Sequence, residues 1–316
     1  MTDLDLMLKN NPKQPLSKKK TYFCRLIICK IQMASYSFSG HESFACKSLW
    51  LKKGYDFIVH EHDFNAPEAV IHLGVGKNMV TAIRYWMRVC GIMDDDMWLG
   101  RYLFDEQNGK DPYLEDLATL WLLHFNLVFK AQASIYKIFF CEFQRERIRF
   151  TKEQLANHIK YKLIDDGQKN SYTENTVKKD IDVLIHNYAL PRKPQSNEDF
   201  SALFIDLDLL RINEDGKEYY FNTEGKRKAP MQIFLYALNK LKEKEGDHTL
   251  PYDDIRHNIG MTFCMADAEI IEMLKLISSR YSNYLAYSDE AGIRQVQFIK
   301  DVSSEELLND YYEANI

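Results

Sequence analysis

Long apolar runs are missing from this sequence, and so are the usual signatures of metal sites and of covalent catalysis. No stretch approaches the length of a membrane-spanning helix, so we expect no membrane segment. The six cysteines form no CxxC pair, which excludes the common zinc signatures and favours reduced thiols in a cytoplasmic protein. Neither a GxSxG nucleophile elbow nor a GxGxxG dinucleotide motif is present. We therefore predict no metal site, and no catalytic motif identifies an enzyme class.

The five residues from Gly74 to Asn78 resemble part of a phosphate-binding P-loop, but two parts of that motif are missing. A P-loop needs a glycine five residues before its Gly-Lys pair and a hydroxyl residue directly after the lysine. Ile71 and Asn78 occupy those two positions. The sequence therefore argues against an ATP site here.

Charge is distributed unevenly along the chain. Residues 1–32 contain seven Lys or Arg and two Asp, a net charge of +5, whereas the whole chain carries −5, so residues 33–316 carry −10. We interpret residues 1–32 as a non-native or disordered extension that results from a start codon upstream of Met33. The alternatives are a basic arm that touches nucleic acid and a signal peptide, although Arg25 interrupts the apolar stretch of that segment. Because the remaining chain is acidic, any contact with DNA has to be local.

The stretch from Pro67 to Met93 predicts a short helix, a glycine turn and a longer amphipathic helix. Its apolar residues recur at three- and four-residue intervals, namely Val75, Met79, Ile83, Trp86, Met87 and Cys90. Hydrogen-bond donors occupy another face, namely Lys77, Asn78, Thr81, Arg84 and Arg88. A helix-turn-helix presents such side chains to phosphates and base edges, so we expect the principal DNA contact here. For Arg84, the alternative is an ion pair with a neighbouring carboxylate.

A second unit begins with the apolar stretch Leu114–Lys130, which predicts a central core helix. Thr151, with Gln154 three residues later, predicts the start of a helix. Another helix follows, and then an alternating pattern from 204 to 222 predicts a hairpin with its turn at Asp215-Gly216. Helix, turn, helix and hairpin is the order of a winged helix.

The second helix of that unit offers a further group of donors, which we interpret as a second DNA contact. The group comprises Asn175, Thr176, Lys178 and Lys179. The alternative is a solvated face, because Asp180 and Asp182 adjoin the two lysines.

A third unit after Pro230 repeats the order, with a hairpin turn at 289–292. Acidic residues near the start of its long helix would repel phosphate, which indicates a module for packing or for a protein partner. The predicted fold class is therefore mainly α with small β-hairpins, in tandem winged-helix or helix-turn-helix units. We divide the chain into the extension (1–32), a helix-turn-helix domain (33–109), a second winged-helix-like domain (110–229) and a C-terminal winged-helix-like domain (230–316).

His41 and Glu42 are the weak candidates for catalytic residues. They follow Gly40 and lie between Phe38 and Phe44, so the aromatic side chains could anchor the segment while the polar pair faces outward. A histidine there can donate to a phosphate or act as a general base. The alternative is structural, with Ser39 or His41 capping a helix and Glu42 near its positive end.

Three sequence words carry a resemblance to a known family: FSGHESF at 38–44, WLKKG at 50–54, and LGVGKNMV followed by IRYW within 73–86. On these words the chain resembles the bacterial family catalogued as domain of unknown function 4007 (DUF4007), from residue 36 to about residue 310. Members of that family are similar to SspB, a component of systems for DNA phosphorothioation, in which sulfur replaces a non-bridging phosphate oxygen. The resemblance implies three partners: a cysteine desulfurase, a PAPS-reductase-like sulfur transferase and an ATPase. DNA nicking is attributed to the SspB branch, but no nuclease motif in this sequence carries it.

The leading hypothesis is a DNA-binding subunit of a phosphorothioation defence system, which positions double-stranded DNA for sulfur insertion and needs no cofactor. The first alternative is a DNA nickase of the same system that depends on Mg²⁺. The second is an assembly scaffold that does not bind DNA, which the net charge of −10 over residues 33–316 favours. The oligomeric state is left open.

Overall fold

The computed structural model describes residues 36–168, 172–191, 201–226, 228–290 and 292–314. The interpretations of the extension, residues 1–32, lie outside the described residues and remain predictions. Contacts join the described residues from Ser37 onward into one compact unit. The boundaries predicted after residues 109 and 229 stay predictions within it.

Helices make up 53% of the structure, which confirms the mainly α prediction. In chain order the helices are α1 (Trp50–Val59), α2 (Ala69–Leu73), α3 (Lys77–Val89), α4 (Trp98–Phe104), α5 (Leu117–Lys130), α6 (Ser134–Lys137), α7 (Gln144–Glu146), α8 (Lys152–Asp165), α9 (Glu174–Tyr188), α10 (Met231–Glu245), α11 (Tyr252–Ile255), α12 (Asp267–Arg280) and α13 (Ser304–Tyr312). Two π-helical segments, Ile138–Phe143 and Arg256–Gly260, continue α6 and α11. Across the described ranges, every helix falls short of the length and apolarity that a membrane crossing needs.

Local sequence signals account for where several helices begin. Thr151 caps α8 through the amide N–H of Gln154, and the Gln154 side chain accepts the amide N–H of Thr151 in return, as the predicted capping box requires. The core helix begins at Leu117, three residues later than predicted, because the Asp116 carboxylate accepts the amide N–H of Ala118 at 2.8 Å and so caps α5.

Two antiparallel sheets of three strands each accompany the helices. The strands are β1 (Arg149–Phe150), β2 (Leu210–Ile212), β3 (Tyr219–Phe221), β4 (Thr249–Pro251), β5 (Leu285–Glu290) and β6 (Ile293–Phe298). The orders are β1-β3-β2 and β4-β6-β5, and both predicted hairpins are present as β2–β3 and β5–β6. The predicted alternation is wrong before Leu210, because Ile205–Leu207 forms a 3₁₀ turn and Asp208 has a φ of +53°.

The same order of helices and strands forms each of the two sheets. A helix precedes the first strand, two helices follow it, and a hairpin completes the sheet, with the last strand at the centre each time. The first strands, β1 and β4, were missed because two or three residues are too few to show an alternating pattern.

Helix α5 forms the centre of an aromatic core. Its residues from Ala118 to Val128 are all buried, which confirms the prediction of a central core helix. The rings of Trp121 and Phe125 lie 5.4 and 5.9 Å from the ring of Phe263, between α11 and α12. Aromatic pairs at such distances stabilise a core beyond their buried area, so α5 ties distant parts of the sequence together.

Helices α1 and α3 approach closely at Gly54, and we expect Gly54→Ala to destabilise the protein. A Cβ at position 54 would lie 2.1 Å from the sulfur of Met87 and 2.9 Å from a methyl group of Ile83. Overpacking of this kind costs about 1–3 kcal/mol. Urea unfolding measures the change, with Lys53→Ala on the exposed side of α1 as the control. Equal stability of the two variants would contradict the close approach of the helices.

Candidate nucleic-acid interface

The predicted helix, glycine turn and helix are present as α2 and α3. Gly74 ends α2 in the left-handed conformation, with a φ of +59°, which glycine adopts without the steric cost that a Cβ brings. Gly76 then enters α3 in an extended conformation. The turn therefore has the conformation that its two glycines favour.

Helix α3 is amphipathic in the predicted sense. Ile83, Trp86 and Met87 are fully buried, whereas Val75 and Met79 at its start are only partly buried. The predicted donors on the opposite face, Lys77, Asn78, Thr81 and Arg88, are exposed. Within the described part of the chain, neither Lys77 nor Arg88 forms an ion pair with a carboxylate. These two cations are therefore available to an external anion.

Arg84 differs from the other four donors because it is half-buried and its guanidinium is bound to a side chain outside α3. Its Nη1 donates to Oδ1 of Asn65 at 2.7 Å, and the Asn65 amide in turn donates to Asp63 at 3.0 Å. The partner of Arg84 is therefore the side-chain amide of Asn65, and not a carboxylate as the ion-pair alternative required. Arg84 holds the loop before α2 against α3, which leaves it fewer donors for DNA than an unbound arginine has.

The segment Ser39–Ser43 is a tight loop that lies against Tyr85 of α3. Ser39, Gly40, Glu42 and Ser43 all have positive φ, with 100° at Gly40. A Cβ at position 40 would lie 2.7 Å from a ring carbon of Tyr85, so glycine is needed both for conformation and for space. Strained loops of this kind cluster at functional sites, where the surrounding structure has to hold them in place.

His41 is buried, with 3% of its surface exposed, and both ring nitrogens have partners. The amide N–H of Ser43 donates to Nδ1 at 3.0 Å, so Nδ1 is the acceptor and the proton resides on Nε2. Nε2 then donates to Oδ1 of Asp180 at 3.0 Å. As a general base, His41 would have to give up its bond from Ser43. Glu42 is exposed, so the structure places the two catalytic candidates in different environments.

Asp180, in the middle of α9, is the residue that the sequence interpretation missed. It is 2% exposed, and besides His41 it accepts the amide N–H of Ser39 at 3.0 and 3.1 Å. It falls on the same helical stripe as the buried residues Val177, Ile181 and Leu184. A carboxylate on an apolar stripe is a signal for a buried polar partner, and this signal was available in the sequence.

Helices α3 and α9 meet at this loop. Burial, and then the negative charge of Asp180, raise the pKa of the Tyr85 hydroxyl far above its usual value, while the positive charge of Arg88 acts in the opposite direction. Both charges therefore lie close enough to Tyr85 to act on it. The loop connects the helix that carries Arg88 to the helix that carries Lys178 and Lys179.

The second group of predicted donors lies at the start of α9. Asn175, Lys178 and Lys179 are exposed, and Thr176 is half-buried with its amide N–H donating to the capping hydroxyl of Thr173 at 3.1 Å. Neither adjacent acid neutralises the lysines through an ion pair, because Asp180 is turned inward and Asp182 pairs with Lys152. Exposed lysines without an ion pair to these acids are compatible with both the DNA contact and the solvated face, so the second contact stays a prediction.

A metal centre is not formed by the described residues. No three of their His, Cys, Asp and Glu side chains are grouped so that they could hold an ion. The oxygens of Asp180, the best-buried carboxylate of the loop, already accept three hydrogen bonds. The described residues therefore provide no site in which three protein side chains hold an ion.

The fold and this interface together define a mainly helical protein with two small antiparallel sheets and exposed cationic helix faces. The chain belongs to the family described as "Protein of unknown function (DUF4007)", whose sequence profile matches residues 38–312. Among solved structures it is similar to a magnesium-ion-bound SspB, with a TM-score of 0.77 and 27% identity over 89% of this chain and 90% of that chain. A second SspB crystal structure gives a TM-score of 0.74 and 27% identity over 88% of each chain. No curated protein matches the sequence.

Proposed function

We propose that this chain is a DNA-binding subunit of a bacterial DNA phosphorothioation system and positions double-stranded DNA for sulfur insertion. One observation carries the proposal: Lys77, Asn78, Thr81 and Arg88 are exposed along one face of α3, whose other face is buried. The interval from Lys77 to Arg88 spans about 16 Å at 1.5 Å per residue. A row of donors of that length suits several phosphates of a duplex.

Winged-helix architecture is the structural part of the proposal. The repeated order of helix, strand, two helices and hairpin, with the last strand at the sheet centre, supports two such units. In the first of them, α9 takes the place of the recognition helix and presents Asn175, Lys178 and Lys179. In the second, α12 takes that place but begins with Asp267 and Glu269, which pair with Arg256 and Lys226. Its first turn therefore offers no free cation to a phosphate, and we propose a protein partner there.

Similarity to SspB supports membership of a phosphorothioation system. We propose the cysteine desulfurase, the sulfur transferase and the ATPase of such a system as partners, and the cytoplasm as the compartment where they meet DNA. The start of α12 is the surface we assign to one of these proteins.

We expect the double variant Lys77→Ala/Arg88→Ala to weaken duplex binding on all sequences. Each lost phosphate contact lowers the slope of log K against log salt by about 0.9, so the slope should fall by about 1.8. Filter binding at several salt concentrations measures this slope. The matched control is Lys275→Ala/Arg280→Ala, which removes two exposed cations from α12 and should leave the slope unchanged. Equal slopes for both variants would place the DNA elsewhere.

A Mg²⁺-dependent DNA nickase is the second candidate, and the magnesium-bound SspB relative favours it. Because the described residues show no group of three side chains that could hold the ion, no step is assigned to it. The nickase predicts a nicked plasmid only with Mg²⁺, and loss of nicking in Glu42→Ala without loss of folding. An assembly scaffold, in contrast, predicts no DNA affinity and co-purification with the sulfur-transfer proteins.

A further inference from the structure

A cavity of about 500 Å³ lies between the loop before α4, helices α5 and α10, and the first turn of α13. Trp98, Phe129 and Tyr236 contribute aromatic surface to its walls. Small-molecule sites typically have volumes of about 300–1,000 Å³ and mostly apolar walls with a few polar groups. The cavity thus has the size and the aromatic surface of a ligand site, and it is separate from the proposed DNA contact.

Two of the residues that line this cavity have buried polar atoms without a hydrogen-bond partner. These atoms are Nδ2 of Asn126 and Oγ of Ser304. Asn126 is only 3% exposed, and its Oδ1 already accepts the hydroxyl of Tyr236 at 3.2 Å. Buried polar groups are almost always paired in folded proteins, so two unpaired groups at one cavity indicate a missing partner. An amide N–H and a hydroxyl together favour an oxygen acceptor.

The first turn of α13 adds further donors at the same place. This helix has nine residues, and the Ser303 side chain caps it by accepting the amide N–H of Glu306 at 3.1 Å. The amides of Ser304 and Glu305 are among those that helix geometry leaves without an acceptor. The positive end of the helix dipole also lies here. These donors suit a carboxylate.

The charges around the cavity select against a simple anion. Lys130 pairs with Asp94, and Lys240 pairs with Glu243 at 2.8 Å, so both cations are neutralised. Glu305 and Asp96 form no ion pair within the described residues, which leaves an excess of negative charge. A ligand whose carboxylate faces the donors must therefore also carry a positive group, and an ammonium beside these carboxylates and aromatic rings is favoured.

We propose that this cavity binds an α-amino acid with an apolar or aromatic side chain. Its carboxylate accepts from Asn126, from the Ser304 hydroxyl and from the first turn of α13. Its ammonium group faces Glu305, and its side chain lies on the aromatic wall. Nδ2 of Asn126 and Oγ of Ser304 each expose less than 1 Å² to water, in the cavity as well as outside it, so both side chains rotate on binding to present these donors to the ligand.

Thermal unfolding of the full chain tests the proposal, with L-phenylalanine and L-leucine as probes. We expect either amino acid at millimolar concentration to raise the Tm in a concentration-dependent manner, because a ligand stabilises the state it binds. Inorganic phosphate, 3-phenylpropanoate and phenethylamine each lack one feature of the zwitterion and should leave the Tm unchanged. Absence of a shift with either amino acid, or an equal shift with phosphate, would overturn the proposal.

Two variants separate binding from folding. Ser304→Ala removes a hydroxyl that bonds to nothing, so the variant should unfold at the wild-type temperature but bind about tenfold more weakly. Glu305→Gln removes the negative charge and should weaken binding by a similar factor. Wild-type affinity in both variants would show that the ligand binds elsewhere.

Discussion

Replacing Asp180 with alanine is expected to lower the free energy of unfolding by about 3–5 kcal/mol, because the change breaks a buried hydrogen-bonded cluster. Without the carboxylate, Nε2–H of His41 and the amide N–H of Ser39 lose their acceptor in a site that excludes water. The strained loop from Ser39 to Ser43 would then lose both of these contacts with α9. Urea unfolding at neutral pH measures the loss.

Two further variants make this result specific. Asp182→Ala changes the same residue type on the exposed side of α9, where its ion pair with Lys152 contributes less than about 1 kcal/mol. Asp180→Asn should fall between the two, since its amide oxygen can still accept from Nε2–H of His41. Its amide nitrogen would then take the place of Oδ2 and lie against the amide N–H of Ser39, donor against donor. If Asp180→Ala is no less stable than Asp182→Ala, the cluster does not hold the loop.

His124 should make the protein lose stability on acidification. It is fully buried, which lowers the pKa of its imidazole from 6.5 to about 4, although its bond to the Thr262 carbonyl acts in the opposite direction. Nε2 donates to that carbonyl at 2.8 Å, and Nδ1 accepts the Tyr188 hydroxyl at 2.7 Å, so the neutral ring is the bound form. Between pH 6.5 and about pH 4 the His124 imidazole binds a proton in the unfolded chain but not in the folded chain. The contribution of His124 to the free energy of unfolding is therefore fully present above pH 6.5. It decreases as the pH falls below 6.5, by about 3 kcal/mol in all.

The comparison of wild type with His124→Gln isolates this contribution. Glutamine can donate to Thr262 and accept from Tyr188 without titrating. The stability advantage of the wild type over the variant should shrink by about 2.5 kcal/mol between about pH 7.5 and about pH 4.5. Other groups titrate in both proteins and cancel in the difference. An advantage that stays constant with pH would contradict the buried neutral histidine.

Periodicity was enough to predict the elements whose signal is local. The start of α8, the core helix α5, the glycine turn before α3 and both hairpins all follow from short patterns of residues. Each depends on capping, helical spacing or turn chemistry within a few positions. The short strands β1 and β4 have too few residues for such a pattern. Their pairing partners also lie far along the chain, so no local signal marks them.

The interface was less accessible to sequence reasoning, because its residues meet across long separations. His41 and Asp180 are 139 positions apart, so no local spacing connects them. The exposed donors of α3 were found from its amphipathic pattern, but the binding of Arg84 to Asn65 was not, since a loop conformation brings them together. From sequence, Asp180 was considered only as an acid beside Lys178 and Lys179, although its place on the apolar stripe of α9 indicates a buried partner.

Hydrogen–deuterium exchange of the full chain, with and without duplex DNA at low salt, tests the central claim most directly. Amides in the first turn of a helix lack intrahelical acceptors and exchange quickly, so a phosphate bound there slows them visibly. The account predicts slower exchange at the starts of α3 and α9 and no change in α12. Slower exchange in α12 alone, or no change anywhere at saturating DNA, would contradict a DNA interface on α3 and α9.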